Sequence, residues 1–142
     1  MTVMQVKLRS IADTGASVGW AGSHTLVVDR PAGHAGGQGL GFNGGQLLAL
    51  AIGGCFCNDL HYVAHEMGIV LRSVAVEVAV TFQGEPLLAT AAKISVAVSA
   101  ADSRADVAAL IAKAEATSTV SNSISRGIPV HLATAPHPVQ AR

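Results

Sequence analysis

Between Asn43 and Gly68 the apolar positions first run together and then become periodic. Leu47 to Cys57 carries no polar side chain at all. A helix with no polar face must be buried on every side, so this half is expected at the centre of the fold. In the second half Asn58, Asp59, His61, His65 and Glu66 alternate with Leu60, Tyr62, Val63, Ala64 and Met67, which predicts an amphipathic continuation. Asn43 is a suitable N-cap, Gln46 three residues on completes a capping box, and Gly68 is a C′ stop. The apolar run from Leu47 to Phe56 is about half the length of a membrane span, so no membrane is expected.

The rest of the chain reads as strands and shorter helices. Alternation predicts strands over residues 2–9, 17–21 and 25–29, the last two joined by a turn at Gly22-Ser23. Val74, Val76, Val78, Val80 and Phe82 share one face of a long strand. Ile94, Val96, Val98 and Ala100 do the same after a turn over residues 83–86, which makes an antiparallel hairpin with one apolar face. A second helix starts at Ser103 with Asp106, and Val107, Leu110, Ile111 and Ala114 form its core stripe. Three β-hydroxyl residues over 117–119 weaken it, a further helical turn follows over 120–125, and Gly127 and Pro129 end it. A short final strand over 130–133 and a frayed tail over 136–142 complete the chain. This order is α+β in one domain over residues 1–142. Its own sheet covers one side of the central helix, and a partner chain is expected to cover the other.

Composition sharpens this picture. The chain has 142 residues, half of them hydrophobic and only 13% charged, against roughly 25% charged in a typical domain. So little charged surface favours an oligomer, at least a dimer. Net charge is zero, aromatic residues make up 4%, and no basic run occurs, which disfavours nucleic-acid binding. Residues 1–10 contain no signal-peptide core, which points to the cytoplasm. Cys55 and Cys57 stand about 200° apart around a helix and cannot easily pair with each other. They are read as reduced thiols.

Candidate chemistry is sparse outside the long helix. The glycine-rich stretch over 31–43 lacks the Gly-Lys-Ser/Thr ending of a phosphate loop and the spacing of a dinucleotide fingerprint, so it reads as a surface loop. Cys57, His61 and His65 fall on one helix stripe, but i to i+8 spans about 12 Å, too far for one ion to touch all three. A two-ligand pair completed from elsewhere is the sharp reading and hydrogen-bonding histidines the plain one, and no metal or cofactor is assigned. Cys55 is either a reactive thiol or a small core residue. Asp59, one turn beyond it, can accept a hydrogen bond from the thiol or from a bound group, and its charge opposes a thiolate. Tyr62 and Trp20, the single Tyr and Trp, line a pocket or, more simply, pack in the core.

The stretch from Asn43 to Phe56 resembles the opening of the central helix in the OsmC/Ohr family, Asn/Ser-Pro-Glu-x-Leu running on to Gly/Ala-Cys. Ala114 to Ile124 resembles that family's second motif, Ala-Glu-x-x-Cys-Pro-Val-Ser-Asn. The strand order agrees as well. The resemblance implies antiparallel sheets packed around the long helix and an intertwined homodimer with two thiol sites at its interface. It implies reduction of hydroperoxides, often organic ones, by a peroxidatic cysteine held by an arginine and a glutamate. A second cysteine then forms a disulfide, and an external dithiol resets the pair.

Carried over by position, Cys55 matches the peroxidatic cysteine. Gly44 stands where the proline is expected and Gly45 where the glutamate is. Ser118 stands at the second cysteine and Thr119 at its proline. The arginine normally follows a glycine in the early strand region, where Ser23 follows Gly22, and Arg30 is the nearest arginine on the loop. Ser118 can hydrogen-bond a thiolate or a ligand but cannot resolve a sulfenic acid, so a one-cysteine cycle needs an external thiol. The expected site is therefore Cys55 and Ser118, with Asp59, Cys57 and Arg30 as binding residues. Two other classes of function stay open: a protein that binds a small hydrophobic molecule or a metal in the interface pocket, and a different thiol reaction on a sulfur metabolite.

Overall fold

The computed structural model describes residues 1–134, and the tail expected over 136–142 lies outside the described residues. In chain order the elements are β1 (Lys7–Ser10), β2 (Ser17–Ala21), β3 (His24–Val28), α1 (Gly44–Glu66), β4 (Leu71–Gln83), β5 (Leu88–Ala100), α2 (Val107–Thr117) and α3 (Thr119–Arg126). The strands form two antiparallel sheets, β1-β2-β3 and the hairpin β4-β5. The mixed α+β class expected from the element order is what the chain adopts.

Helix α1 begins as its sequence dictates. The Asn43 carboxamide oxygen accepts the Gln46 N–H at 3.0 Å, and the Gln46 side chain accepts the Asn43 N–H at 3.0 Å. The two bonds satisfy two otherwise orphaned helix N–H groups. At the other end Gly68 takes φ +66°, a conformation that a side chain would strain. Between the caps, Phe56, Leu60, Val63 and Ala64 pack on Leu110 and Ala114 of α2, and Val74, Val76, Ile94, Val96 and Val98 of the hairpin lean on that cluster. Cross-strand partners Val74 with Val98, Val76 with Val96, and Val78 with Ile94 put the expected apolar residues on one face. Gly53 lets the helix approach that face closely, since a Cβ there would lie 3.0 Å from a Val78 methyl.

Burial on all sides of α1 does not hold within one chain. In its first half only Ile52 and Phe56 are buried, Leu50 is 49% exposed, and Ala51 and Gly54 are exposed. A single hairpin and α2 cover one flank of a cylinder. The opposite flank carries Leu50, Ala51, Gly54, Asn58, His61 and Tyr62. Over an 18-residue window α1 has a mean hydropathy of 1.4, long and apolar enough by length and composition to cross a membrane. Here its inner flank is part of the core.

Three expected boundaries move. Strand β1 starts at Lys7 rather than residue 2, because Lys7 pairs with Trp20 and β2 ends one residue later. Helix α2 is capped by Asp106, whose carboxylate accepts the Ala109 N–H at 2.9 Å, and not by Ser103. Residues 102–105 form a turn instead, because the Asp102 carboxylate captures the Arg104 N–H at 2.9 Å and its guanidinium at 3.0 Å. The final strand over 130–133 does not form: Val130 and Leu132 are over 90% exposed, and among the described residues the segment pairs with no strand.

The β1-β2-β3 sheet joins the rest through one bridge, Val28 to Phe42, where the Asp29 N–H donates to the Phe42 carbonyl at 3.0 Å. Leu8 of β1, and Val6 just ahead of that strand, remain exposed.

Candidate functional site

Helical geometry separates the two thiols. Both are free. Cys57 faces Phe42, Val76 and Val78 along one edge of α1. Cys55 lies about 160° away around the helix by the shorter way, close in azimuth to Leu48. It is half-buried. Asp59 follows four residues later on the same stripe, and the Cys55 Sγ donates to its Oδ2 at 3.6 Å. Among the described residues this is the polar contact of the thiol. The carboxylate oxygen accepts the S–H hydrogen bond and orients the thiol along the helix.

The position where the family resemblance calls for a glutamate is filled differently. Gly45 lies in the first turn of α1, and a Cβ built on it would sit 3.0 Å from the Phe82 ring of β4. An aromatic edge therefore stands where a carboxylate would begin.

Ser118 joins α2 to α3 as the C-cap of one and the N-cap of the other, yet its side chain makes no capping bond. It is fully buried. Its hydroxyl reaches Ser121 Oγ at 3.4 Å, while its carbonyl accepts from the Asn122 side chain at 2.7 Å. With Ile52 and Phe56 of α1 it lines a cavity of about 530 Å³. The sequence reading missed this cavity and three of its residues, Glu115, Ser121 and Ser125. The signal was present: serines at 118, 121 and 125 recur at i, i+3 and i+7, which is one face of a helix.

Arg30 is held in the loop that follows β3. Its guanidinium donates to the carbonyls of Ala35 at 2.9 Å and Gly15 at 3.0 Å, and lies 3.7 Å from the Asp29 carboxylate. Within one chain it makes no bond to Cys55. The sequence reading also passed over Asp29, a 5% exposed carboxylate. It accepts the N–H groups of Arg30, Gln38 and Leu40 at 2.8–3.1 Å and so organises the glycine-rich loop. The Leu40 N–H, with those of Gln38 and Arg30 and the Arg30 guanidinium, holds the Asp29 carboxyl below its ordinary range against the opposing effect of burial. A lone acidic residue ahead of a glycine-rich stretch, whose many N–H groups need acceptors, was the available signal.

His61 and His65 are exposed, and no three His, Cys, Asp or Glu side chains converge among the described residues. Neither single aromatic lies in the core. Tyr62 is 68% exposed, and Trp20 stacks under the Arg9 guanidinium at 5.7 Å.

Residues 36–133 match the family model described as OsmC-like protein. The chain is similar in fold to the crystal structure of an OsmC-like protein from Mycoplasma pneumoniae, with a TM-score of 0.72, 12% identity, and coverage of 87% of this chain and 88% of that one. It is similar to an organic hydroperoxide resistance protein OsmC from Legionella pneumophila, with a TM-score of 0.59, 26% identity, and coverage of 87% and 90%. It is also similar to the organic hydroperoxide resistance protein OhrB of Bacillus subtilis, with a TM-score of 0.56, 22% identity, and coverage of 89% and 92%. No curated protein matches the chain in sequence.

Proposed function

The chain belongs to the OsmC-like protein family, and from that premise we propose that it reduces small hydroperoxides in the cytoplasm, in defence against oxidative stress, with Cys55 as the nucleophile. The observation that carries the reading is the half-buried, unpaired Cys55 on the central helix, within the stretch that matches the family model. The Cys55 sulfur, as thiolate, attacks the distal peroxide oxygen. The O–O bond breaks, the alkoxide takes up a proton to leave as an alcohol, and the sulfur becomes a sulfenic acid. With Ser118 in place of a second thiol, an external dithiol attacks this sulfenic acid, releases water and forms a mixed disulfide. Its second thiol then displaces Cys55 and leaves as a cyclic disulfide. Ser118, buried behind the same helix, is assigned to hydrogen bonding with substrate or sulfur.

Without a second thiol at position 118, each cycle depends on an external dithiol, so turnover is expected to be slow. The working unit is assigned as a homodimer. The support is the uncovered apolar flank of α1, with Leu50 49% and Tyr62 68% exposed, and the exposed Leu8 of β1 with Val6 just ahead of it.

The test is consumption of cumene hydroperoxide and hydrogen peroxide with dithiothreitol or dihydrolipoamide, by wild type and Cys55→Ser, with mass spectrometry of the oxidised chain. Turnover that disappears in Cys55→Ser, with a sulfenic or mixed-disulfide adduct on Cys55, supports the proposal. Turnover no faster than the free dithiol, with Cys55 unmodified, sinks it.

A further inference from the structure

The uncovered flank of α1 changes character along its length. Leu50, Ala51 and Gly54 make its first half apolar, whereas Asn58, His61 and His65 make its second half polar, and all six are exposed. His61 and His65 stand four residues apart within one unbroken helix. At 3.6 residues per turn they lie about 40° apart around the axis and about 6 Å apart along it. That spacing sets two imidazoles side by side on one ridge, where both can reach a single ion.

Both imidazoles are uncommitted. Among the described residues neither takes part in a side-chain hydrogen bond or an ion pair. The neighbouring carboxylates are engaged elsewhere: Asp59 accepts from Cys55, and Glu66 accepts from Lys113 at 2.7 Å. Cys57 continues the row one turn earlier, but it is half-buried towards Phe42, Val76 and Val78. The available donors are therefore two imidazole nitrogens and water. Such a set suits borderline ions, copper above nickel and zinc, whereas magnesium and calcium take oxygen ligands. Once the first imidazole holds an ion, the second meets it at high effective concentration, because the helix already fixes their separation.

We propose that His61 and His65 form a binding site for one divalent transition-metal ion per chain, with water in the remaining positions. The site lies about 120° around the helix and about 9 Å along it from Cys55. It stands apart from the peroxide reading and does not depend on it.

The test is calorimetric titration of the tag-free, full-length protein with Ni²⁺, repeated with Cu²⁺ and Mg²⁺. Wild type is expected to take one Ni²⁺ per chain, to hold Cu²⁺ more tightly and to give no binding heat with Mg²⁺. His61→Ala and His65→Ala, at exposed helical positions where alanine spares the fold, should each weaken Ni²⁺ by roughly tenfold or more, at least as much as loss of an outer-shell partner does. His65→Ala combined with Glu66→His keeps the number of histidines but turns the second one about 140° from His61, and it should bind as weakly as His65→Ala. Cys55→Ser, Cys57→Ser and His131→Ala should match wild type. Ni²⁺ should also raise the melting temperature of wild type more than that of His65→Ala. Absence of Ni²⁺ binding to folded wild type, as when a second copy of the chain buries the pair, overturns the proposal. So does an affinity that either alanine variant leaves untouched, that the displaced histidine restores, or that falls in Cys57→Ser.

Discussion

The Cys55 Sγ donates to the Asp59 carboxylate at 3.6 Å, one helical turn away. The same pairing orients the thiol and sets a carboxyl group beside the sulfur. Asp59→Asn keeps an acceptor of similar shape and removes the acidic group. At neutral pH the alkylation of Cys55 by iodoacetamide is expected to rise about fivefold in that variant, read by peptide mass spectrometry so that Cys57 is counted separately. An unchanged or slower rate would mean that Asp59 does not control the thiol.

Asp29 should dominate the acid response of the glycine-rich loop. Its folded-state carboxyl is held down by N–H donors from Leu40, Gln38 and Arg30. A depressed folded value gives stability that is present above the unfolded carboxylate range, about pH 4, and is lost as pH falls through the folded value. Thermal melts from neutral to acid pH should therefore fall less steeply in Asp29→Ala than in wild type below about pH 4, from a lower starting point. Amide exchange at Gln38 and Leu40 should quicken in that variant at neutral pH.

Leu110 is fully buried against the helix α1 core. Leu110→Ala is expected to cost about 2–5 kcal/mol in chemical denaturation, since the packed site cannot close the space left behind. Leu87→Ala, at a 68% exposed turn position, is expected to stay within about 0.5 kcal/mol of wild type. Equal losses in the two variants would place the core elsewhere.

Local patterns were legible and completeness was not. The caps of α1 and the valine face of the hairpin follow from period and side-chain chemistry, and the structure reproduces them. Where neighbours compete, local rules failed. Asp102 took the Arg104 N–H and moved the start of α2 to Val107. Residues 130–133 had a strand's composition but pair with no strand among the described residues. The site was harder. Cys55 and Ser118 were singled out through motif positions, but the partners of Cys55 depend on which helix face meets which element. No sequence period could show that the Phe82 ring would occupy the space beside Gly45. Arg30 looked available because it sits on a loop, yet carbonyls of that loop and of Gly15 hold its guanidinium.

Ser118→Cys tests the assignment of the position itself. The serine is fully buried beside Ile52 and Phe56, so a thiol of nearly the same shape fits without repacking. If position 118 is equivalent to the family's second cysteine, oxidation of Cys55 to the sulfenic acid is followed by attack of the introduced thiol, loss of water and an internal disulfide. Wild type, which lacks that thiol, should instead accumulate mixed disulfide with added reductant or overoxidise to sulfinic acid under excess peroxide. The two outcomes separate by intact mass and by non-reducing peptide maps. The variant should also resist overoxidation by roughly an order of magnitude in peroxide concentration, because internal capture competes with a second peroxide molecule. Sulfinic acid forming on Cys55 equally fast in both proteins would show that Ser118 does not face the reactive sulfur, and the one-cysteine cycle would then have no structural link to α3.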